Sequence, residues 1–366
     1  MSIPSPLSTE QWKTFMARHD LTWSRVDEEW EQGAFLGNGM LGAMIYRDAP
    51  NVLRWEMGRC DVVERFQIPR VDWAPPRLLI GDFLLKTVGN VQSECMRLDL
   101  WNAEAIGEIT TDRGSLRWRS LVHADEDILL IELEGEGEEK EASLTFRVQN
   151  GISPCLHYER IRKIPDPDFL KAHTPPQPEH MKWDGMQFTA QDYIAGGQHA
   201  VGWTEEQENG KRRLFATVSS TWPLRNAVDA AERRLDRALS ARLDPWIAAH
   251  RQWWNEYYPQ SFVSFDDPYW ESFYWIQMYK LGAATREDSP IIDSQGPWMP
   301  QTPWPTCVWN LNVQTSYSPL FTSNRFKLGE SLYSRLDAGM DDLIMNVPDS
   351  FRADSAGMGR STSCIT

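Results

Sequence analysis

The chain has 366 residues, 41% hydrophobic and 24% charged, an ordinary globular composition but a length that exceeds one hydrophobic core, so two domains are expected. A formal charge of −15 and a pI near 5.0 exclude nucleic acid and an anionic membrane surface as partners, because both repel an acidic protein. No apolar run approaches the roughly 20 residues that span a bilayer, MSIPSPLSTEQWKTF is not a secretory leader, and Cys60, Cys95, Cys155, Cys307 and Cys364 are scattered, so free thiols in a cytoplasmic setting are expected.

From about residue 20 to 220, short apolar or alternating runs are broken by Gly, Asn, Asp and Pro. Leu41–Tyr46, Val52–Met57, Leu78–Thr87, Ala103–Thr110, Ser115–Ala124, Asp127–Glu134, Ala142–Gln149 and Leu214–Ser219 read as strands. The runs SLRWRSLVHA, DILLIELEG and ASLTFRVQN follow one another closely and predict an antiparallel meander within a β-sandwich. Ile164–Asp184, with prolines at 165, 167, 175, 176 and 178, reads as a long loop.

The pattern then becomes helical. Asn226–Leu243 places Val228, Ala231, Leu235, Ala238 and Leu239 on one face. A second helix runs from Pro245 to Tyr258, and a third over Tyr269–Thr285 with Asp266 or Asp267 as cap and Pro268 in its first turn. Leu328–Ile344 is a further helix. The ending FRADSAGMGRSTSCIT reads either as a frayed tail or as a chain that stops inside a domain.

Gln295–Tyr317, QGPWMPQTPWPTCVWNLNVQTSY, stands apart. It holds Trp298, Trp304 and Trp309, prolines at 297, 300, 303 and 305, and the pair Asn310 and Asn312. The prolines predict an ordered loop through much of it. Indole faces offer broad apolar contact with a polar handle, and each amide offers an acceptor and two donors. That mixture suits a sugar, with its C–H faces and hydroxyl edges; the competing reading is a Trp-rich packing loop.

Three separated places resemble glycoside hydrolase family 95, which contains α-L-fucosidases and α-L-galactosidases. Trp30–Met44, with FLGNGMLGAM, is similar to that family's opening motif. Leu79–Phe83 and Arg97–Ala103 resemble two of its strands. Gln295–Trp298, Pro303-Trp304 and Trp309–Gln314 resemble its "LQG.W", "PPW" and "NIN.Q" elements. The resemblance, to this family or to another six-hairpin (α/α)6 glycosidase, implies a multidomain β-then-α protein. Residues 1–222 form an N-terminal antiparallel β-sandwich, 223–260 a helical linker, and 261–366 the opening part of an (α/α)6 barrel. Twelve helices of about 11–12 residues do not fit in the stretch after the linker, so the chain is expected to be an inactive fragment of the complete enzyme.

The chemistry implied is inverting hydrolysis of a terminal glycosidic bond, an α-L-fucoside or a related sugar, with no cofactor or metal. In such an enzyme one carboxylic acid protonates the leaving oxygen while water is activated about 6.5–9.5 Å away. Asn310 and Asn312 match the family's two water-holding asparagines. Were this segment extended, residues two apart would point to one side and both amides could converge on a water. Gln295, Trp298, Trp304 and Trp309 are the candidate substrate contacts. No position matches the family's catalytic acid. Asp293, Glu330, Asp341 and Asp342 read as caps or solvated surface charges. Thr315-Ser316-Tyr317-Ser318 departs from the family's "EMNYW", which puts fucose specificity in doubt. Gly37, Gly39 and Gly42 are expected to permit positive φ or close backbone approach. The seven histidines show no metal spacing. The alternative to an enzyme is a non-catalytic carbohydrate-binding or interaction protein that works through the sandwich.

Overall fold

The computed structural model describes residues 7–65, 76–149, 151, 174–208, 210–299, 302 and 304–363. Pro300, Pro303, Cys155, Cys364, His157, His173 and residues 164–173 of the expected long loop lie outside the described residues.

The strands are β1 (Leu21–Trp23), β2 (Ala34–Gly37), β3 (Leu41–Ala49), β4 (Val52–Arg59), β5 (Gly81–Lys86), β6 (Val91–Asp99), β7 (Glu104–Thr111) and β8 (Gly114–Val122), followed by β9 (Leu129–Gly137), β10 (Ser143–Val148), β11 (Glu179–Trp183), β12 (Met186–Asp192), β13 (Gln198–Glu208) and β14 (Lys211–Thr221). They form a nine-stranded sheet, β1-β6-β7-β8-β9-β14-β13-β12-β11, and a five-stranded sheet, β10-β5-β4-β3-β2. The inner faces meet through large aromatic rings. Trp55 on β4 packs edge-on against Trp118 on β8 at 5.4 Å, and Phe83 on β5 against Trp203 on β13 at 5.9 Å. Such edge-to-face pairs add about 0.5–1.5 kcal/mol each beyond the area they bury.

Two expectations are corrected. β8 and β9 form the first hairpin of the expected meander, but the third run, β10, crosses to the other sheet and pairs with β5. The free edge of β9 is taken by β14 instead, and a strand that changes sheets closes a sandwich. The second correction is β11, which lies inside the stretch expected to be loop; it is the edge strand of the large sheet, paired with β12.

The helices are α1 (Thr9–Met16), α2 (Ala227–Ser240), α3 (Leu243–Tyr257), α4 (Pro268–Ala284), α5 (Asn312–Thr322), α6 (Phe326–Ala338) and α7 (Met340–Met345). α2 lays Ala231, Leu235 and Ala238 on Leu130, Phe188 and Phe215, covering the outer face of the large sheet. α4 starts as expected, with Asp267 accepting from the Tyr269 amide and Pro268 at the first position. The helix expected over Leu328–Ile344 is broken at Gly339 into α6 and α7. Ser361–Thr362, in the tail expected either to fray or to stop short, pairs as β16 with β15 (Cys307–Val308).

Much of the tryptophan surplus fills the seam between sandwich and helices. Trp12 of α1 stacks on Trp101 and meets Trp275 of α4 edge-on at 5.4 Å, Trp101 stacks on Tyr258, and Trp254 lies 5.0 Å from Tyr279. Arg18 and His19 reach Glu271 on α4 at 3.4 and 3.5 Å, which clasps α1 to the helical part. The core is therefore continuous from the sandwich into the helices. Among the described residues no helix is long and apolar enough to cross a membrane, and Cys95 is an exposed free thiol.

Candidate functional site

The segment between α4 and α5 is held on a platform of glycines. Gly37, Gly42 and Gly58 sit side by side in register on β2, β3 and β4. A Cβ on Gly42 would lie 3.0 Å from the Pro297 ring, and one on Gly58 only 2.1 Å from the Pro297 carbonyl oxygen. Bare backbone at these positions lets Pro297 lie flat on the sheet. Gly39, at φ +88°, turns the chain between β2 and β3 and donates its amide to Ala283 at the end of α4. Asn38 supports that turn, its Oδ1 accepting from the Met40 and Leu41 amides.

A buried ion pair completes the anchor. Arg77, just ahead of β5, reaches across to Asp293 with Nη1 at 2.9 Å, and it also donates to the Gly296 and Pro297 carbonyls. Asp293 accepts from the Gln295 amide at 2.7 Å. Both side chains are about 1% exposed. Asp293 therefore caps a turn, as expected, but it is not solvated. Glu330, Asp341 and Asp342 are exposed, in keeping with surface charges.

The segment then separates packing from presentation. Trp298 is 2% exposed, donates its indole N–H to the Leu36 carbonyl at 2.8 Å and packs edge-on against Phe35. Trp309 is 9% exposed and donates to Thr362 Oγ1 at 2.7 Å, so the β15–β16 ladder holds it. In both, the ring and its polar handle are occupied by the protein, the arrangement of packing residues. Gln295 is half-buried beside the Asp293 turn, and Trp304 is 37% exposed and keeps a face toward solvent.

Asn310 and Asn312 lie at the open end. Trp309, Asn310 and Leu311 make a turn, and Asn312 is the first residue of α5; Asn310, Leu311 and Asn312 are all exposed. Asn312 Nδ2 donates to Ser294 Oγ at 3.2 Å. The extended geometry expected for this pair is thus corrected: a turn leads directly into a helix, and the pleat argument for a common side does not apply. What the helix supplies is its N-terminus, whose free amides and positive dipole end suit an oxygen that gains negative charge. α5 is fastened by Val313, Tyr317 and Leu320 on its buried face. Tyr317 OH accepts from the Ile292 amide and bonds Ser331 Oγ, and burial pushes its pKa up to about 12, so it stays protonated.

Sequence reasoning missed Arg77, Ser294 and Thr362. Each is a single polar residue without a motif, and no sequence signal marks it. The start of α5 did carry one, in the i, i+4, i+7 spacing of Val313, Tyr317 and Leu320.

A separate cleft of about 490 Å³ lies between the 124–128 turn and residues 286–289, and none of the six predicted site residues lines it. Its charges compensate one another. Burial pushes Asp127 up, but Arg59 at 2.7 Å and Arg234 at 3.5 Å outweigh this and hold it below the usual carboxylate range. Lys327 pairs with Glu287 at 3.0 Å. Arg286 lies over the Trp253 ring at 3.6 Å, and burial lowers its pKa to about 9. Among the described residues no three His, Cys, Asp or Glu side chains are grouped to hold a metal ion.

No family model matches the chain, and no curated protein matches it. Among solved structures it is similar to a protein described as a kojibiose phosphorylase from the human microbiome, at a TM-score of 0.62 and 10% identity, over 94% of this chain and 49% of that one. It is also similar to a bacterial glucoamylase complexed with acarbose, at a TM-score of 0.47 and 8% identity, over 88% and 54%. The chain spans about half the length of these solved relatives. At such identities the likeness concerns the fold. The chain has a β-then-α architecture: an N-terminal antiparallel β-sandwich, linking helices and the opening part of an (α/α)6 barrel.

Proposed function

We propose that this chain carries the water-holding half of an inverting glycosidase site, and that the complete protein cleaves a terminal glycoside, an α-L-fucoside or a related sugar. Residues 1–222, 223–260 and 261–366 are its sandwich, linker and barrel portions. The observation that carries the reading is the exposed pair Asn310 and Asn312 at the N-terminus of α5, on a segment that a buried ion pair and a glycine platform hold in place. An amide is a poor base, but its carbonyl orients a water whose proton a carboxylate takes. Rigid support under such a group is what catalytic positioning requires. Trp304 and Gln295 are the candidate sugar contacts that remain accessible, while Trp298 and Trp309 are buried. The family 95 resemblance is the source of the fucoside assignment.

A phosphorolytic variant, with phosphate in place of water, is the second reading, and the name of the solved relative is what favours it. The test offers the chain L-fucose, L-galactose and D-glucose in saturation-transfer NMR, then aryl glycosides with and without inorganic phosphate. Expected is millimolar binding of one L-sugar that Asn310→Ala and Asn312→Ala abolish without changing the melting midpoint, and no turnover by the chain alone. Sugar binding untouched by both replacements removes the site assignment. Robust turnover shows that the acid lies within these residues, and turnover that needs phosphate selects the second reading.

A further inference from the structure

The cleft of about 490 Å³ beside the 124–128 turn is lined by a side chain that the fold leaves unsatisfied. Arg286 follows the end of α4. Its Nη1 donates to the Gly282 and Thr285 carbonyls, and its guanidinium lies over the Trp253 ring, which stacks in turn on Tyr257. These contacts fix the group in place. Its Nε and Nη2 are buried and have no hydrogen-bond partner among the described residues. Buried donors are nearly always paired, so two on one side chain call for an acceptor. These two N–H groups share one edge of the guanidinium fork, the edge that binds a carboxylate or phosphate through two parallel bonds. Asp125 and Asp288 also line the cleft and act on Arg286 through their charge, yet neither reaches that edge.

The other charges decide what else a ligand must carry. Asp127 pairs with Arg59 and Arg234, Glu287 pairs with Lys327, and Glu126 accepts from the Trp246 indole. That leaves Arg286 and the exposed Arg237 as cations, and the exposed Asp125 and Asp288 as carboxylates. A bare anion would meet two carboxylates, and a neutral polyol would bring no charge to the guanidinium edge. A ligand with one oxyanion and several hydroxyls suits both, because its hydroxyls donate to the carboxylates. The cleft volume is in the range of small-molecule sites. We propose that it binds a hydroxylated acid of monosaccharide size, whose phosphate or carboxylate group Arg286 holds through its Nε–Nη2 edge. The cleft walls come from the sandwich turn, α2, α3 and the start of α6, so such a ligand bridges the sandwich and the helical part.

Isothermal titration calorimetry at low salt tests this with D-glucose 6-phosphate, D-glucuronate, inorganic phosphate and D-glucose. Expected is binding of the sugar phosphate or the sugar acid at about millimolar Kd or tighter, and whichever binds names the oxyanion. Inorganic phosphate lacks the hydroxyls and D-glucose lacks the anion, so each should bind about tenfold more weakly or not at all. Arg286→Lys keeps the charge but removes the paired N–H groups, and should weaken binding about tenfold. Should that variant lower the melting midpoint, Arg237→Gln decides in its place; its side chain is exposed, so the fold should be unchanged while binding weakens about threefold. No binding of either sugar anion at about 10 mM overturns the proposal, as does equal binding by a folded Arg286→Lys variant. Inorganic phosphate or D-glucose binding as tightly as the sugar anions also overturns it. Asn310→Ala and Asn312→Ala should leave this binding intact; its loss in them would move the ligand to the other site and end the proposal.

Discussion

Acid should loosen this fold through histidines that it holds neutral. His250 on α3 is buried; its Nδ1 accepts from the Ala124 amide at 3.1 Å and its Nε2 donates to the Asn102 carbonyl at 2.9 Å. A proton on Nδ1 would face an N–H, and burial with His123 nearby lowers its pKa to about 3. His199, also buried, is lowered by burial to about 4. Both folded values lie below the ordinary 6.5, so the unfolded chain binds the protons that the folded chain excludes. The stability they contribute is full above pH 6.5 and is lost as pH falls from there toward about 4 and about 3. At roughly 1.4 kcal/mol per pH unit, each loses about 2 kcal/mol at pH 5, or about 4 kcal/mol for the pair. That is a large part of the ~5–15 kcal/mol that holds a domain together. Asp20 and Glu56, both raised by burial, act in the opposite sense closer to their own titration. Urea unfolding at pH 7.5, 6.5, 5.5 and 5.0 measures the effect, and His199→Gln should remove about half of the loss. Stability that stays flat from pH 7.5 to 5.0, or a variant that keeps the whole slope, refutes the reasoning.

Gly58→Ala places a methyl group 2.1 Å from the Pro297 carbonyl oxygen; a loss of about 3 kcal/mol in chemical denaturation is expected, the upper end for overpacking, together with faster proteolysis between residues 293 and 306. Arg77→Met strands the Asp293 carboxylate in the interior and should cost about 3–5 kcal/mol, while Arg77→Met combined with Asp293→Asn recovers part of it in a double-mutant cycle. Trp298→Phe leaves the Leu36 carbonyl without its indole donor, and a loss of about 1–3 kcal/mol in the same assay is expected. Asn312→Ala removes one exposed bond to Ser294, so the melting midpoint should stay within about 2 °C while sugar binding is lost.

The sandwich was legible because half-buried strands alternate and turn residues separate them; β3, β4, β5, β7, β8, β9 and β10 match predicted runs, while β6 had none. Which sheet β10 joins was not legible, since alternation describes a strand's two faces and says nothing about its neighbour. α5 was hidden by composition. Thr315, Ser316, Ser318 and an internal Pro319 all favour other conformations, and packing of Val313, Tyr317 and Leu320 against the core overrides them. The fixed support of the candidate site was illegible for a different reason. Arg77 and Asp293 are 216 residues apart, and no local pattern announces a pair that meets only in the folded chain.

The structure also changes how the sequence motifs weigh as evidence. FLGNGMLG and QGPW lie about 250 residues apart in the chain and look like two independent resemblances, yet they are the two sides of one contact: Pro297 rests on Gly37 and Gly42, and the Trp298 indole bonds Leu36. Packing accounts for Gly296, Pro297 and Trp298 without any ligand, so these residues speak for the shared fold. Asn310 and Asn312 are different. They are exposed, and they sit at a helix end that the rest of the motif holds in place. Their local roles, a turn at Asn310 and one exposed bond from Asn312 to Ser294, are modest beside the packing of Pro297 and Trp298, so the functional inference rests on this pair and not on the length of the motif around it.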